Sequence, residues 1–148
     1  MLNSMLTTTF FSSVFLLIAV GCKRQPLPGP EPMPVQGQVF YQGQPAAGFR
    51  VTFHPLFEQG EVKFTPFAVT DEQGAFRLQS YSAEDGAPVG EYAVTFEWLE
   101  RPKVRDQIDD PDLPNVDRLK GKYNRPDQST WKVQIQAGPN ELEPFRLE

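Results

Sequence analysis

The distribution of proline constrains the fold of this 148-residue chain more than any other feature. All fifteen prolines lie beyond residue 22. Proline has no amide hydrogen and its ring clashes inside a helix, so long helices are disfavoured throughout this region. Hydrophobic residues make up 39% of the sequence, which is enough for a real core. We therefore expect one domain built from extended segments and turns.

Apolar and polar residues alternate along several stretches, which is the period of strands with one buried face. In residues 90–98, the side chains of Tyr92, Val94, Phe96 and Trp98 share one face. Seven strands are predicted, at residues 35–41, 47–55, 64–70, 75–81, 90–98, 129–137 and 142–148. The predicted fold class is all-β, a seven-stranded antiparallel β-sandwich over residues 35–148.

Residues 99–128 interrupt this pattern and are predicted to form a long, acidic loop. Loops of this length are uncommon unless they have a role or are disordered. Within it, residues 116–123 are predicted to form a short helical turn that ends at Gly121.

The N-terminal segment has the composition of a secretory signal peptide. Residues 10–21 form an apolar stretch of twelve residues, too short for a membrane-spanning helix, which needs ~20. This length suits the hydrophobic region of a cleaved leader, although residues 1–9 contain no Lys or Arg. Residues 1–21 are therefore predicted to be a signal peptide.

The single cysteine, Cys22, directly follows this stretch. Ala19, Val20, Gly21 and Cys22 resemble the bacterial lipobox, with Ala19 in place of the favoured Leu. The resemblance implies cleavage between Gly21 and Cys22 and acyl chains on Cys22, which would hold the protein in a membrane. Two or more acyl chains give stable anchoring, since each buried CH₂ contributes roughly 0.8 kcal/mol. We expect an exported, lipid-anchored protein facing the periplasm or the surface, and Lys23 resembles the outer-membrane class.

Residues 22–34 are predicted to be a tether between the lipidated cysteine and the domain. Residues 23–34 contain five prolines, which favour an extended polyproline II conformation. At ~3.1 Å per residue, this segment could reach roughly 37 Å from the membrane.

The charge and residue content exclude several functional classes. The net charge of −5 argues against nucleic acid, because phosphate binding relies on Lys and Arg. The only histidine, His54, lies on the polar face of its predicted strand and is interpreted as an ordinary surface residue. One histidine and one cysteine are too few for a typical zinc site, and no GxSxG-type motif is present. We therefore expect no cofactor and no enzymatic activity.

Four stretches resemble the carboxypeptidase regulatory-like, or transthyretin-like, domain of bacterial lipoproteins. They are residues 37–55, 68–78, 85–98 and 121–147, and the resemblance covers 35–98 and 121–147. Its motif positions are Thr70, Asp71, Gly74 and Phe76 in a turn, and Pro88, Gly90, Tyr92 and Val94 at a strand entry. The resemblance implies a transthyretin-like or Ig-like Greek-key sandwich of mostly non-catalytic type. A purine-pathway hydrolase with this fold uses several histidines and a basic C-terminal tetrapeptide, both absent from this sequence.

Aromatic residues outside the predicted core faces are the candidates for contact with a protein or glycan ligand. They are Phe40, Phe57, Tyr81 and Tyr123. Trp98 and Trp131 lie on apolar faces and are expected in the core.

The acidic residues of the long loop offer a weaker alternative. Asp109, Asp110, Asp112 and Asp117 could supply oxygen ligands to Ca²⁺. Because their spacing is not that of an EF-hand loop, a solvated acidic loop is favoured and no metal is predicted.

The favoured hypothesis is a membrane-anchored envelope lipoprotein whose sandwich binds a protein or glycan. The alternative is an enzyme accessory or hydrolase-like domain with a polar site on loop 99–128, where Asp117, Arg118 and Lys120 form the densest polar set. A purely structural spacer is the third hypothesis. The sequence leaves the ligand and the oligomeric state open.

Overall fold

The structure is a computed structural model that describes residues 28–101 and 114–148, and these form an all-β sandwich, as predicted. Within these ranges, no helix combines the length and the apolarity needed to cross a bilayer. Several predicted features lie outside the described residues, namely the signal peptide, the first six residues of the tether (22–27), Gly21, Cys22, Asp109, Asp110 and Asp112.

Thirteen strands, many of them only two residues long, occupy the described residues, with one 3-10 turn at Pro126–Gln128. The strands are β1 (Pro32–Met33), β2 (Val35–Tyr41), β3 (Gln44–Pro45), β4 (Arg50–Pro55), β5 (Phe67–Val69), β6 (Ala75–Arg77), β7 (Ala87–Pro88), β8 (Gly90–Glu97), β9 (Leu99–Glu100), β10 (Val116–Asp117), β11 (Lys132–Ile135), β12 (Asn140–Glu141) and β13 (Phe145–Leu147).

One layer of the sandwich is a four-stranded antiparallel sheet in the order β11-β8-β4-β5. Along β4, Val51 and Phe53 are buried in the core, whereas Thr52 and His54 are only partly buried on the outer face. The alternation predicted for this strand is confirmed, because successive side chains of a strand point to opposite faces.

The second layer is built around β2, which has partners on both sides. β3 and β6 run antiparallel along one side, and β12 and β13 run parallel along the other. The closing segment thus differs from the antiparallel pairing expected of it. After β11 the chain turns at Gly138, whose φ is 95°, and enters the opposite sheet instead of folding back on β11.

Strand pairing begins at Pro32, three residues before the predicted start of the domain at Val35. Pro32 pairs with Pro88, and Met33 pairs with Ala87. Prolines are tolerated here because β1 is a two-residue edge strand. The end of the proline-rich segment therefore belongs to the sandwich.

The predicted loop at 99–128 is partly regular. Leu99–Glu100 pairs antiparallel with Val116–Asp117, so that a short ladder joins the start of the predicted loop to residues within it. The predicted helical turn around Gly121 is a series of hydrogen-bonded turns without α-helix. The buried side chain of Leu119 attaches these turns to the core.

Aromatic rings join the two layers. Phe53 of β4 lies 6.4 Å from Phe76 of β6, and Phe96 of β8 lies 5.2 Å from Phe145 of β13, between ring centroids. All four side chains are buried. Each such pair contributes roughly 0.5–1.5 kcal/mol beyond the burial of its area, so the core itself fixes how the sheets face each other.

The two tryptophans lie at the rim of this core. Trp98 stacks on Phe49 at 5.1 Å, and Trp131 meets Phe96 edge-on at 5.1 Å. Both indoles pack against the core but are only half-buried, so the prediction that they lie in the core is met in part.

Candidate functional site

A groove of about 900 Å³ opens where the β5–β6 hairpin passes from one layer to the other. β5 belongs to the four-stranded sheet, whereas β6 pairs with β2 in the second layer. The backbones of Phe67 and Gln79 exchange two hydrogen bonds of 3.0 and 2.9 Å. The strands meet again at the turn, where Asp71 donates its N–H to the carbonyl of Ala75 at 2.9 Å. Between these two points β5 and β6 separate, because β5 remains paired with β4 and β6 remains paired with β2.

This separation exposes main-chain groups of Val69 and Arg77. In an antiparallel hairpin closed at Phe67 and Gln79, these two residues would form the next hydrogen-bonded pair. The β4–β5 and β2–β6 registers direct the N–H and C=O groups of Val69 and Arg77 away from β4 and β2, toward the groove. No hydrogen bond within the described part of the chain engages these groups. Main-chain N–H and C=O groups are strong hydrogen-bonding groups, so those left open here can engage a ligand.

The groove combines a partly apolar floor with a polar, acidic rim. Its side-chain amides are those of Gln36, Gln38 and Gln79. Its charged side chains are those of Asp71, Arg77, Glu84, Glu141 and Glu143, which sum to −3 at neutral pH. Arg77 is paired with Glu84 at 3.4 Å, and both side chains are largely exposed. The remaining carboxylates at the rim therefore give the groove a negative field.

Phe76 closes the floor of the groove from inside the core. Its ring is buried and stacks 6.2 Å from Phe145. Gly37 on β2 makes room for it, because a Cβ at position 37 would lie only 2.7 Å from Phe76 Cζ. The floor is therefore part of the hydrophobic core.

The turn that joins β5 to β6 is held by its own side chains. Asp71 Oδ1 accepts the N–H groups of Gln73 and Ala75, each at 2.9 Å. Gly74 has a φ of 73°, a conformation that suits glycine because it has no Cβ. The Asp-x-x-Gly part of the motif is thus explained by the geometry of this turn.

Two of the aromatic residues predicted as ligand contacts fill one end of the sandwich. Phe57 and Tyr81 flank Phe64 at ring distances of 6.2 and 6.0 Å, and both are half-buried. The Tyr81 hydroxyl is enclosed without a hydrogen-bond partner in the described structure. Burial, together with the nearby Asp85 carboxylate, raises the pKa of Tyr81. The structure therefore shows Phe57 and Tyr81 packed against the core.

The other two predicted contacts lie elsewhere. Phe40 is half-buried on β2, with the Arg146 guanidinium 5.0 Å from its ring. Tyr123 lies 5.7 Å from Trp131, and its hydroxyl donates to the backbone carbonyl of Glu148. The four aromatic residues do not form one surface, and none of them lines the groove.

Asp117, the one described member of the predicted acidic set, has its carboxylate occupied by the backbone. Oδ1 accepts N–H groups from Trp98 at 2.9 Å and Leu119 at 3.0 Å, and Oδ2 accepts that of Gly121 at 2.9 Å. Arg118 lies 3.6 Å over the Trp98 ring. In the described ranges, no group of three His, Cys, Asp or Glu is placed to hold a metal ion. These side chains secure the base of the 99–128 region.

His54 lies on the outer face of the four-stranded sheet, as predicted. Its Nε2 is 2.8 Å from Thr95 Oγ1. Partial burial lowers the pKa of His54, because the charged imidazolium is less well solvated there.

Sequence reasoning did not find the groove. Gln36 and Gln38, two residues apart on β2, were a usable signal, because that spacing places both amides on one outer face. The separation of β5 from β6 has no comparable signal, since the alternation in the two strands reads as an ordinary hairpin.

Comparisons with known proteins identify no family for this chain. No protein-family model matches it, and no curated protein matches it. Among solved structures, a 9R-lipoxygenase from Cyanothece PCC8801 is similar over 84% of this chain and 18% of its own, with 14% identity and a TM-score of 0.40.

Proposed function

We propose that the protein is a lipid-anchored binding module of the bacterial envelope, whose protein or glycan ligand occupies the groove beside β5 and β6. The groove carries the binding role in this proposal. Its volume of about 900 Å³ falls in the ~300–1,000 Å³ range typical of ligand sites. Its amides, carboxylates and open main-chain groups offer donors and acceptors on a packed sandwich, which suits recognition.

The proposed anchor is supported by the sequence before the sandwich. Gly21 and Cys22 match the lipobox at the end of an apolar stretch. Nine residues lie between Cys22 and the first strand residue, Pro32. A chain of that length spans at most about 35 Å, so the anchored domain would remain close to the bilayer.

The proposed absence of catalysis is supported by the resemblance to carboxypeptidase regulatory-like domains, most of which are non-catalytic. The all-β sandwich and the turn from Asp71 to Gly74 agree with that resemblance. The alternative site on loop 99–128 has less support, because Asp117 and Arg118 are already engaged with the backbone and with Trp98. On this proposal the protein holds its ligand unchanged.

The anchor is tested by the intact mass of the N-terminal peptide from membranes of the native host, beside a Cys22→Ala variant. We expect a peptide that begins at Cys22 and carries acyl mass, and we expect the variant to leave the membrane fraction. A membrane-bound chain that begins at Met1 without acyl mass would contradict the anchor.

The binding role is tested by placing a photoreactive phenylalanine analogue at single positions of the protein in its host. Val69 lines the groove and is 61% exposed, and Val116 lies outside the groove and is 55% exposed. We expect a discrete adduct from position 69 and none from position 116. The same adducts from both positions, or none from position 69, would contradict binding in the groove.

A further inference from the structure

We infer that the groove takes an extended peptide segment rich in Lys or Arg. This inference rests on the proposed binding function and specifies its partner. Three features of the groove point to such a peptide: its open main-chain groups, its negative charge, and the limited exposure of its two aromatic rings, Phe67 and Phe76.

The open main-chain groups favour a polypeptide over a sugar. Val69 and Arg77 present N–H and C=O groups that the registers direct toward the groove. An extended peptide carries N–H donors and C=O acceptors in alternation along its length, and these can pair with the open groups of both strands. Because the hairpin is closed at Phe67–Gln79 and again at Asp71–Ala75, the peptide would lie over the groove and not between the strands.

The charge at the rim selects the side chains of that peptide. Glu84, Glu141 and Glu143 are exposed. Among the described residues that line the groove, Arg77 is the one cation, and Arg50 lies beside the groove over the Phe67 ring. Arg77 lies 3.4 Å from Glu84, which leaves Glu141 and Glu143 for an incoming cation. Complementary charge of this kind speeds association and suppresses wrong partners.

The two aromatic rings that line the groove, Phe67 and Phe76, offer little free surface on which a glycan could stack. Sugars commonly stack a pyranose face on an exposed aromatic ring. Phe76 is buried, and the Arg50 guanidinium lies 4.5 Å from the centroid of the Phe67 ring. A sugar stacked on the face of Phe67 that Arg50 covers would have to displace Arg50, whereas a peptide side chain can pack on Val69, which is largely exposed.

The test uses fluorescence anisotropy with the purified full chain in nonionic detergent micelles. The probe is a fluorescein-labelled peptide, Lys-Val-Lys-Thr-Lys-Val-Lys-Thr, and its counterpart has Glu in place of every Lys. We expect the basic peptide to bind, the acidic peptide not to bind, and the affinity to fall between 50 and 300 mM salt, because exposed charges are screened.

Paired variants locate the contact. The double variant Glu141→Gln/Glu143→Gln removes two rim charges, and Glu58→Gln/Glu61→Gln removes two exposed charges outside the groove. We expect the first to weaken binding of the basic peptide about fivefold, as two exposed ion pairs would, and the second to leave it unchanged. Equal weakening by both variants, or equal binding of the acidic peptide, overturns the inference.

A glycan probe separates failure of this inference from failure of the binding role. Chitotetraose is titrated against the ¹⁵N-labelled full chain, and the backbone amide signals of Gln36, Gln38 and Val69 are followed. Shifts of these signals with chitotetraose, without binding of the basic peptide, overturn the peptide inference and leave a glycan-binding groove. If neither probe binds while photocrosslinking at Val69 succeeds, the inference is again overturned and the binding role stands.

Discussion

The outer face of the four-stranded sheet and the junction between the two layers differ in how their polar groups are satisfied. On the four-stranded sheet, β4 is paired along both edges, and His54 and Thr95 approach each other at 2.8 Å on its outer surface. Where the chain passes from this sheet to the second layer, β6 leaves β5 between two closed points, and Val69 and Arg77 face a groove. Strands that remain in one sheet produce a filled surface, whereas a hairpin that changes sheets produces a concave one. The passage of the β5–β6 hairpin between the two sheets therefore determines where the candidate site forms.

The largest expected effect on stability distinguishes the floor of the groove, formed by Phe76, from its wall, formed by Phe67. Phe76→Ala should lower the free energy of unfolding by about 3–5 kcal/mol, because it leaves a cavity between Phe53 and Phe145. Phe67→Ala should cost only about 1 kcal/mol, since that ring is half-buried on the outer surface. Urea unfolding of both variants measures the difference. Equal losses would show that the wall belongs to the core as much as the floor does.

The next effect concerns the turn that closes the groove at one end. Gly74→Ala should cost more than about 2 kcal/mol, because its φ of 73° disfavours a side chain and its Cβ would overlap the Val39 carbonyl oxygen. Gly43 has a similar φ of 77° but open space around it, so Gly43→Ala should cost about 1 kcal/mol. Thermal unfolding gives both values. A cost for Gly74→Ala no greater than for Gly43→Ala would show that β2 does not constrain this turn.

A smaller effect on stability depends on pH and arises from His54, on the outer face of the four-stranded sheet. Because burial lowers the pKa of His54 from 6.5 in the folded state, the unfolded chain binds more protons between the two pKa values. The free energy of unfolding should therefore fall as the pH drops through 6.5 toward the folded-state pKa. Replacement of His54 by Gln should flatten the slope in this window, as followed by urea unfolding from pH 7.5 to 5. An unchanged slope, or one of opposite sign, would exclude His54 as its source.

The smallest effect on stability should accompany a clear effect on binding. Arg77→Gln should change the free energy of unfolding by less than about 1 kcal/mol, because Arg77 and Glu84 are 64% and 63% exposed. The same variant should bind the basic peptide more tightly, since it removes a cation that lines the groove and frees the Glu84 carboxylate. Arg125→Gln breaks a comparable exposed pair with Asp127 outside the groove and serves as the control. Tighter binding by both variants would mean that overall charge, and not the groove, attracts the peptide.

The sequence predicted the elements of the fold better than it predicted the site. Alternation along β4 could be recognised because it is local, and the all-β prediction is confirmed. In β8 both faces are buried, Ala93 and Thr95 included, which the alternation in its sequence did not predict. The parallel pairing of β12 and β13 with β2 could not be predicted from the sequence, because a Gly-Pro turn does not show which sheet the chain joins next. Phe57 and Tyr81 were predicted as exposed contacts but pack around Phe64, because long-range packing determines which loop aromatics are covered.

Amide hydrogen exchange, followed residue by residue by NMR on the full chain without ligand, tests the open hairpin most directly. The amides of Val69 and Arg77 should exchange fast, because they face the groove. Those of Ala68 and Phe76 should be protected, since the registers pair them with β4 and β2. Fast exchange confined to Val69 and Arg77 would support the groove as an open edge that a ligand can use. Equal protection of all four amides would mean that the hairpin is closed, and would contradict the account.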